Sequence, residues 1–285
     1  MALTVAAIQQ PDLAAAGRFL HENLARRITP EAWVTSLSQG WAVAQPNYGM
    51  QLHDGDQLVG VICAVYSDQQ INGQIEHFCN PHSWCVKPEY RHASMSLLLP
   101  LVKQRGYHFT MFTPNPKVTQ VFMGLRFRLL DDGLLYTANL PTLWPQRRGG
   151  FVEHRVAHIA ARLRGVALGE FDAHRQIPWL RFVAFGVPGD ACLVIYKPGR
   201  WKKLRCAEIL HVSDAGAMAR HGHLLRHHLL TARATPVSRV EARFVTQVPW
   251  PSLRSRRTQA KLVLSRTLAD SQIRDVYSEL MALDL

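Results

Sequence analysis

From Trp84 to Leu99 the chain reads Trp-Cys-Val-Lys-Pro-Glu-Tyr-Arg-His-Ala-Ser-Met-Ser-Leu-Leu-Leu. This describes a strand stopped by a proline, a turn bearing an arginine and small residues, and the start of a helix. The first amides of a helix have no partner within it and sit at the positive end of its dipole, so such a turn can hold an anion. Small side chains at Ala93, Ser94 and Ser96 let a pyrophosphate come close to the backbone, and Arg91 adds a charge-assisted hydrogen bond. The plainer reading of the same residues is a capped strand-to-helix turn without a ligand.

Other groupings carry weaker chemistry. Cys79-x2-His82-x2-Cys85 is a spacing that zinc ligands use, with His77 nearby, but structural zinc sites draw ligand pairs from two knuckles. Half-buried cysteines beside a hairpin, and no metal, are the expectation. His223 and His227 stand one helical turn apart with no carboxylate near them in sequence, so they read as a basic solvated helix face over buried Leu224, Leu225 and Leu229. Arg254-Ser255-Arg256-Arg257, with Lys261 and Arg266, is a basic run without aromatic interleaving or any helix-turn-helix, zinc-finger or ribonucleoprotein motif, which makes it a surface loop and nucleic acid an unexpected partner. The sequence holds no Gly-x-Ser-x-Gly elbow, Walker loop or dinucleotide fingerprint.

The elements that position these residues follow from periodicity. Leu13, Ala16, Phe19, Leu20 and Leu24 mark a helix from Pro11 to Leu24, and Thr29 with Pro30 begins a second. Tyr48 to His53 and Gln57 to Tyr66 read as strands joined through Asp54-Gly55-Asp56, and Trp84 to Val86 as another. Then come a helix (Ala93 to Arg105), a strand (Tyr107 to Phe112), a helix (Pro116 to Leu125) and strand-rich sequence (Phe127 to Leu140). An antiparallel start followed by alternation of strand and helix points to a mixed α/β sheet. Pro141 to Gly150 has linker composition, and a boundary near Leu143 gives domains 1–142 and 143–285. The second half repeats the order: a helix at Val152 to Arg164, strands at Phe182 to Phe185, Ala191 to Tyr196 and Cys206 to Val212, a helix at Asp214 to Leu230 and a strand at Val237 to Val245. Lys197 to Trp201 reads as a hairpin. Ser271 to Leu283 closes the chain with an apolar stripe at Ile273, Val276, Tyr277 and Leu280.

A second block, Phe112 to Phe127, contains Asn115, a helix and Gly124-Leu125-Arg126-Phe127. With the Trp84 to Leu99 block, in this order and at this distance, it resembles the GNAT superfamily of acyl-CoA N-acyltransferases over roughly residues 10 to 140. The resemblance implies a GNAT fold, two such units with a degenerate second copy that shapes the acceptor site, and acyl-CoA, acetyl-CoA first, as co-substrate. It further implies that the backbone of Trp84, Cys85 and Val86 pairs with the pantetheine arm, and that Arg91, His92, Ala93, Ser94, Met95 and Ser96 hold the pyrophosphate. Asn115 and Phe122 would line the far side, between strands splayed at Trp84 and at His108 to Phe112. Two departures stand out. Serines replace the usual glycines at 94 and 96, and Phe122 stands where the family often has a proton-donating tyrosine. Glu76, His77 and His82 are the candidates for the base that takes a proton from the attacking primary amine, Glu76 first.

Composition bounds the rest. A net charge of +12 and a pI near 9.9 suit an anionic partner, whether a phosphate-bearing cofactor or an acyl carrier protein that could replace free coenzyme A as donor. Five dispersed cysteines are unlike a secreted disulfide framework, and neither a leader peptide nor an 18-residue apolar run is evident, so the cytoplasm is expected. A non-catalytic acyl-CoA-binding or regulatory module is the alternative to an enzyme.

Overall fold

The computed structural model describes residues 3–130, 133–141, 149–256 and 259–284. In chain order the elements are β1 (Leu3–Ala7), α1 (Leu13–Asn23), α2 (Pro30–Leu37), β2 (Gly49–Asp54), β3 (Gln57–Ile71), β4 (Gln74–Val86), α3 (Ser94–Val102), β5 (His108–Met111), α4 (Pro116–Gly124), β6 (Arg128–Leu129) and β7 (Gly133–Ala138). They continue with β8 (Phe151–Glu153), α5 (Val156–Ile159), α6 (Gly165–His174), β9 (Arg181–Val187), β10 (Asp190–Trp201), β11 (Leu204–Val212), α7 (Ala215–Thr231), β12 (Val237–Glu241), β13 (Ser252–Arg256), β14 (Leu262–Leu264) and α8 (Glu279–Ala282).

The chain divides into two compact units. The first is Met1–Leu130 with Gln259–Leu268 and Tyr277–Leu285, and the second is Asp131–Thr258 with Ala269–Val276. Each unit has one mixed sheet, ordered β1-β2-β3-β4-β5-β14-β6 in the first and β8-β9-β10-β11-β12-β7-β13 in the second. The two orders correspond strand by strand. Each begins with an antiparallel meander, then has one parallel pair (β4 with β5, β11 with β12), and then two further antiparallel neighbours. The strand next to the parallel pair comes from far along the chain in both units. Leu262–Leu264 serves β5, and Gly133–Ala138 serves β12. A division at 142/143 follows chain order and leaves this exchange out, and the linker expected near Leu143 lies outside the described residues.

Local physics explains most element boundaries. Thr29 Oγ1 accepts the Ala32 amide and Pro30 occupies the first helical position of α2. α1 buries Leu13, Ala16, Phe19 and Leu20, one face of a helix. Gly49 opens β2 at φ 117°, and a Cβ there would run into the Ile62 carbonyl, so only glycine fits this close strand approach. In the first unit Leu52, Ile62, Leu97, Leu98, Leu101, Phe109 and Leu262 form the core between sheet and α3. In the second, Val183, Phe185, Val194, Leu225 and Leu229 do the same with α7.

Several elements differ from the expectation. β4 begins at Gln74, ten residues before Trp84, because its pairing with β3 holds a polar stretch that has no alternating pattern of its own. Val152 to Arg164 is a short strand followed by single helical turns, and the longer helix is α6. Lys197 to Trp201 is the continuation of β10. Pro198 is tolerated there because β9 pairs with β10 only up to Tyr196. The closing segment is not one helix: a 3-10 turn at Asp270–Gln272 and the short α8 are its only helical parts among the described residues, although Ile273 and Val276 are fully buried.

Candidate functional site

In the first unit β4 and β5 part company. Their parallel ladder has two rungs, Phe78 with His108 and Cys79 with Phe109, whereas β4 stays paired with β3 as far as Val86. At the next rung Asn80 replaces backbone pairing with its side chain: Nδ2 donates to the Thr110 carbonyl at 3.0 Å and to its hydroxyl at 3.1 Å. Pro81, with no N–H to give, follows at once. A β-bulge then redirects β4. His82 lies opposite Cys63 and Cys85 opposite Val61, so Ser83 and Trp84 together face Ile62, with Ser83 at φ 50°.

The opening is propped by a residue from the far end of the chain. Glu279, at the start of α8, donates its backbone N–H to Asn80 Oδ1 (2.9 Å), and its Oε1 accepts from the Phe112 amide and the Thr113 hydroxyl (3.0 Å each). The side chain is fully buried, and Oε2 has no hydrogen-bond partner among the described residues. Burial pushes this carboxyl up to about 7, against the opposing pull of the Phe112 amide, Thr113, Asn80 and the Lys261 ammonium. Lys261 is itself buried, with Nζ 4.6 Å from the centre of the Phe112 ring. His82, also buried, contacts Ser83 Oγ through Nδ1 (2.9 Å), and burial pushes it down to about 3, so it is neutral.

Beyond the bulge the chain reaches the turn singled out in the sequence. Pro88–Ala93 is a 3-10 turn that runs into α3, so part of the donor set is already engaged: Tyr90 N–H bonds Lys87 O, and Ser94 N–H bonds Arg91 O. The Ser94 and Ser96 hydroxyls donate back to Arg91 O and Ala93 O at 2.6 Å each. No side chain caps α3, and Arg91, His92, Met95 and Ser96 are exposed. Burial raises the Cys85 thiol while nearby Arg91 opposes it, which ties the arginine to the end of β4. The matching place in the second unit is chemically opposite. There the Asp214 carboxylate accepts the Ala217 amide (2.7 Å) and occupies the first turn of α7.

Trp84 and Phe122 meet edge-on, with ring centres 6.4 Å apart, and Phe122 is wholly buried against Phe127. Asn115 caps α4, its Oδ1 accepting the Val118 amide at 2.9 Å, and is exposed. Glu76 and His77 stand at the opposite end of β4. Glu76 pairs with His108 Nε2 (3.0 Å), while His77, on the other face as strand alternation requires, pairs with Asp68 (2.7 Å). Glu76 borders a cleft of about 1010 Å³ with Lys103, Arg105, His108 and Arg266. The structure thus groups Trp84, Cys85, Val86, Arg91 to Ser96 and Phe122 near the bulged end of β4 and keeps Glu76 and His77 apart from them. Asn80 and Glu279 are not among the residues the sequence singles out, and Lys261, expected in a basic surface loop, is buried instead. The one available signal was an acid, Glu279, flanked by Tyr277 and Leu280 of the apolar stripe in the closing segment.

No protein-family model matches the sequence, and no curated protein matches it. Solved structures do match. A GCN5-related N-acetyltransferase from Anabaena variabilis superimposes with a TM-score of 0.61 at 11% identity, covering 92% of this chain and 72% of that one. A GCN5-related N-acetyltransferase from Kribbella flavida gives 0.57 at 14%, covering 92% and 70%. Eis1 from Mycobacterium abscessus gives 0.51 at 10%, covering 92% and 73%. The chain has the fold of the GCN5-related N-acetyltransferases, with a mixed sheet in each of its two units.

Proposed function

We propose that this GNAT-fold chain is an N-acyltransferase that moves an acyl group, acetyl in the simplest case, from coenzyme A to a primary amine. The observation that carries the proposal is the loss of pairing between β4 and β5 after Cys79 and Phe109, which leaves the edge of β4 from Asn80 to Val86 without a strand partner among the described residues. Such an edge can take an extended amide-bearing ligand as an added strand. The pantetheine arm is a ligand of this kind, and Trp84, Cys85 and Val86 are the residues that would pair with it. Arg91 to Ser96 would receive the pyrophosphate, since α3 begins without a side-chain cap and with cations beside it. Phe122, behind Trp84, would back the acyl pocket, and Asn115 would contribute by fixing the start of α4.

In this reading the amine nitrogen attacks the thioester carbonyl carbon directly. A C–N bond forms, the tetrahedral intermediate collapses as the C–S bond breaks, and the thiolate leaves with coenzyme A and is protonated. Fixed backbone amides of the bulged strand would stabilise the oxyanion, and orientation of the two reactants replaces a covalent enzyme intermediate. Glu76 and His77 are engaged with His108 and Asp68 at the far end of β4, and we give neither the proton transfer. One cofactor site per chain is proposed, because Asp214 places a carboxylate where the second unit would have to hold a phosphate. The acceptor is a small molecule or peptide rather than a polycation, given the chain's net charge of +12. All five cysteines are free, which supports the cytoplasm as its compartment. No helix of the described residues is long and apolar enough to cross a membrane.

A second reading, an acyl-CoA-binding module without turnover, is favoured by the lack of a hydroxyl on Phe122 and by the Ser94 and Ser96 hydroxyls being engaged with the carbonyls of their own turn. Calorimetry with acetyl-CoA, followed by a thiol-release assay over amino sugars, amino acids, peptides and polyamines, separates the two. Binding with amine-dependent thiol release supports the transferase. Binding without release supports the module, and no binding at millimolar acetyl-CoA overturns both.

A further inference from the structure

We infer that Glu279 is the general base of the transfer and that its Oε2 takes the proton from the acceptor ammonium. This rests on the acyltransferase reading above.

The first ground is placement. Glu279, the one buried carboxylate of the first unit among the described residues, is bonded to both sides of the opening, through its amide to Asn80 of β4 and through Oε1 to Phe112, just past β5. In register, Phe112 stands three rungs beyond Phe109, where the ladder has already stopped. An acyl group entering between the strands therefore meets this carboxylate, whereas Glu76 lies before the first rung.

The second ground is hydrogen-bond accounting. A wholly buried carboxylate oxygen without a donor carries a desolvation cost that folding does not offset. Oε1 is satisfied twice and Oε2 not at all among the described residues. The missing partner is a donor, and an ammonium is the donor that the proposed reaction brings. Transfer of one proton from nitrogen to Oε2 leaves a neutral amine and a carboxylic acid. The amine then carries the lone pair needed for attack, the acid protonates the leaving thiolate, and the restored carboxylate takes the second proton that the nitrogen carries after attack and passes it to water, so that ammonium and thioester give amide, thiol and one released proton.

The third ground is protonation. Burial holds this carboxyl at about 7, and Lys261 is the charged group facing it. A base works best when its affinity for protons is near that of the medium, so that it is free to accept and still able to hold the proton.

Glu279→Gln is the informative variant, because glutamine keeps an oxygen for Phe112 and Thr113 while removing the proton acceptor. Wild type, Glu279→Gln and Glu279→Asp are compared by acetyl-CoA calorimetry, circular dichroism and kcat against pH with an amine active in the thiol-release panel. Glu279→Gln should bind acetyl-CoA as wild type does and lose about 10²–10⁴-fold in kcat, and the ionisation near pH 7 should vanish from the profile. Glu279→Asp should recover part of the rate. If Glu279→Gln keeps both rate and pH profile, the inference fails while the transferase reading stands. If wild type binds acetyl-CoA but releases no thiol with any amine, both fail. If Glu279→Gln does not fold, the Asp variant decides: a folded Glu279→Asp whose kcat and pH profile equal those of wild type overturns the inference, and a lowered, pH-shifted rate supports it.

Discussion

Asn80 bonds Thr110 through its side chain, at 3.0 Å to the carbonyl, one rung past the last backbone pair between β4 and β5. The sheet opens at this point without leaving the Thr110 carbonyl unsatisfied, and the same amide group fixes Glu279 through its Oδ1. Asn80→Ala should therefore remove the bridge and strand a buried carbonyl and a buried N–H together. The expected loss is about 2–3 kcal/mol of folding stability, since each unpaired buried polar group costs about 1–3 kcal/mol. Urea denaturation followed by tryptophan fluorescence measures it. A loss below about 0.5 kcal/mol, the range of ordinary surface substitutions, would mean that the bridge does not hold the opening.

Arg91 is exposed and makes no ion pair among the described residues, so its removal should leave the fold intact and act on the ligand alone. Arg91→Ala is expected to raise the Kd for acetyl-CoA about tenfold, the scale of one charge-assisted hydrogen bond to phosphate. The salt dependence of binding should weaken with it. Calorimetry at two ionic strengths checks both, and an unchanged Kd would place the pyrophosphate elsewhere.

The blocks around Trp84 and Phe112 were legible because their chemistry is local. A proline ends β4, a 3-10 turn carries Arg91, Thr29 and Asn115 cap their helices, and leucines at helical spacing bury α3. What was not legible is non-local. The first part of β4, from Gln74 to Ser83, contains Pro81 and polar residues on both faces, and it becomes a strand only through its pairing with β3. The exchange of β7 and β14 depends on which sheet edge each finds, and neither sequence encodes its partner. Glu279 lies in a segment whose apolar stripe suggested one helix, yet Ile273 and Val276 are buried from irregular backbone. Its contact with Asn80 joins positions 199 apart in the sequence, which no local pattern encodes. Glu76 stands before the first of the two rungs, and only their register reveals at which end of β4 the sheet opens.

The same buried groups set how stability responds to pH. Burial pushes His82 down to about 3, and His174 and His228 down to about 4 each, from an ordinary value of 6.5. Below pH 6.5 the unfolded chain takes up these protons and the folded chain does not. Their contribution is therefore present above pH 6.5 and is lost as pH falls toward 4. Glu279 acts in the other direction: with its folded value near 7 and an ordinary value of 4.5, the folded chain holds a proton that the unfolded chain has released, and its contribution is lost as pH rises through 7. Between pH 6.5 and 5 the three histidines outweigh the one carboxyl, so the urea midpoint should drop with acidification. Glu279→Gln, which removes the opposing group, should make that drop steeper, and His82→Gln should make it shallower. Midpoints at pH 6.5, 5.75 and 5.0 for the three proteins are the measurement. A midpoint that rises on acidification in wild type, or equal slopes in all three, would show that these side chains are not held in the protonation states that their burial dictates.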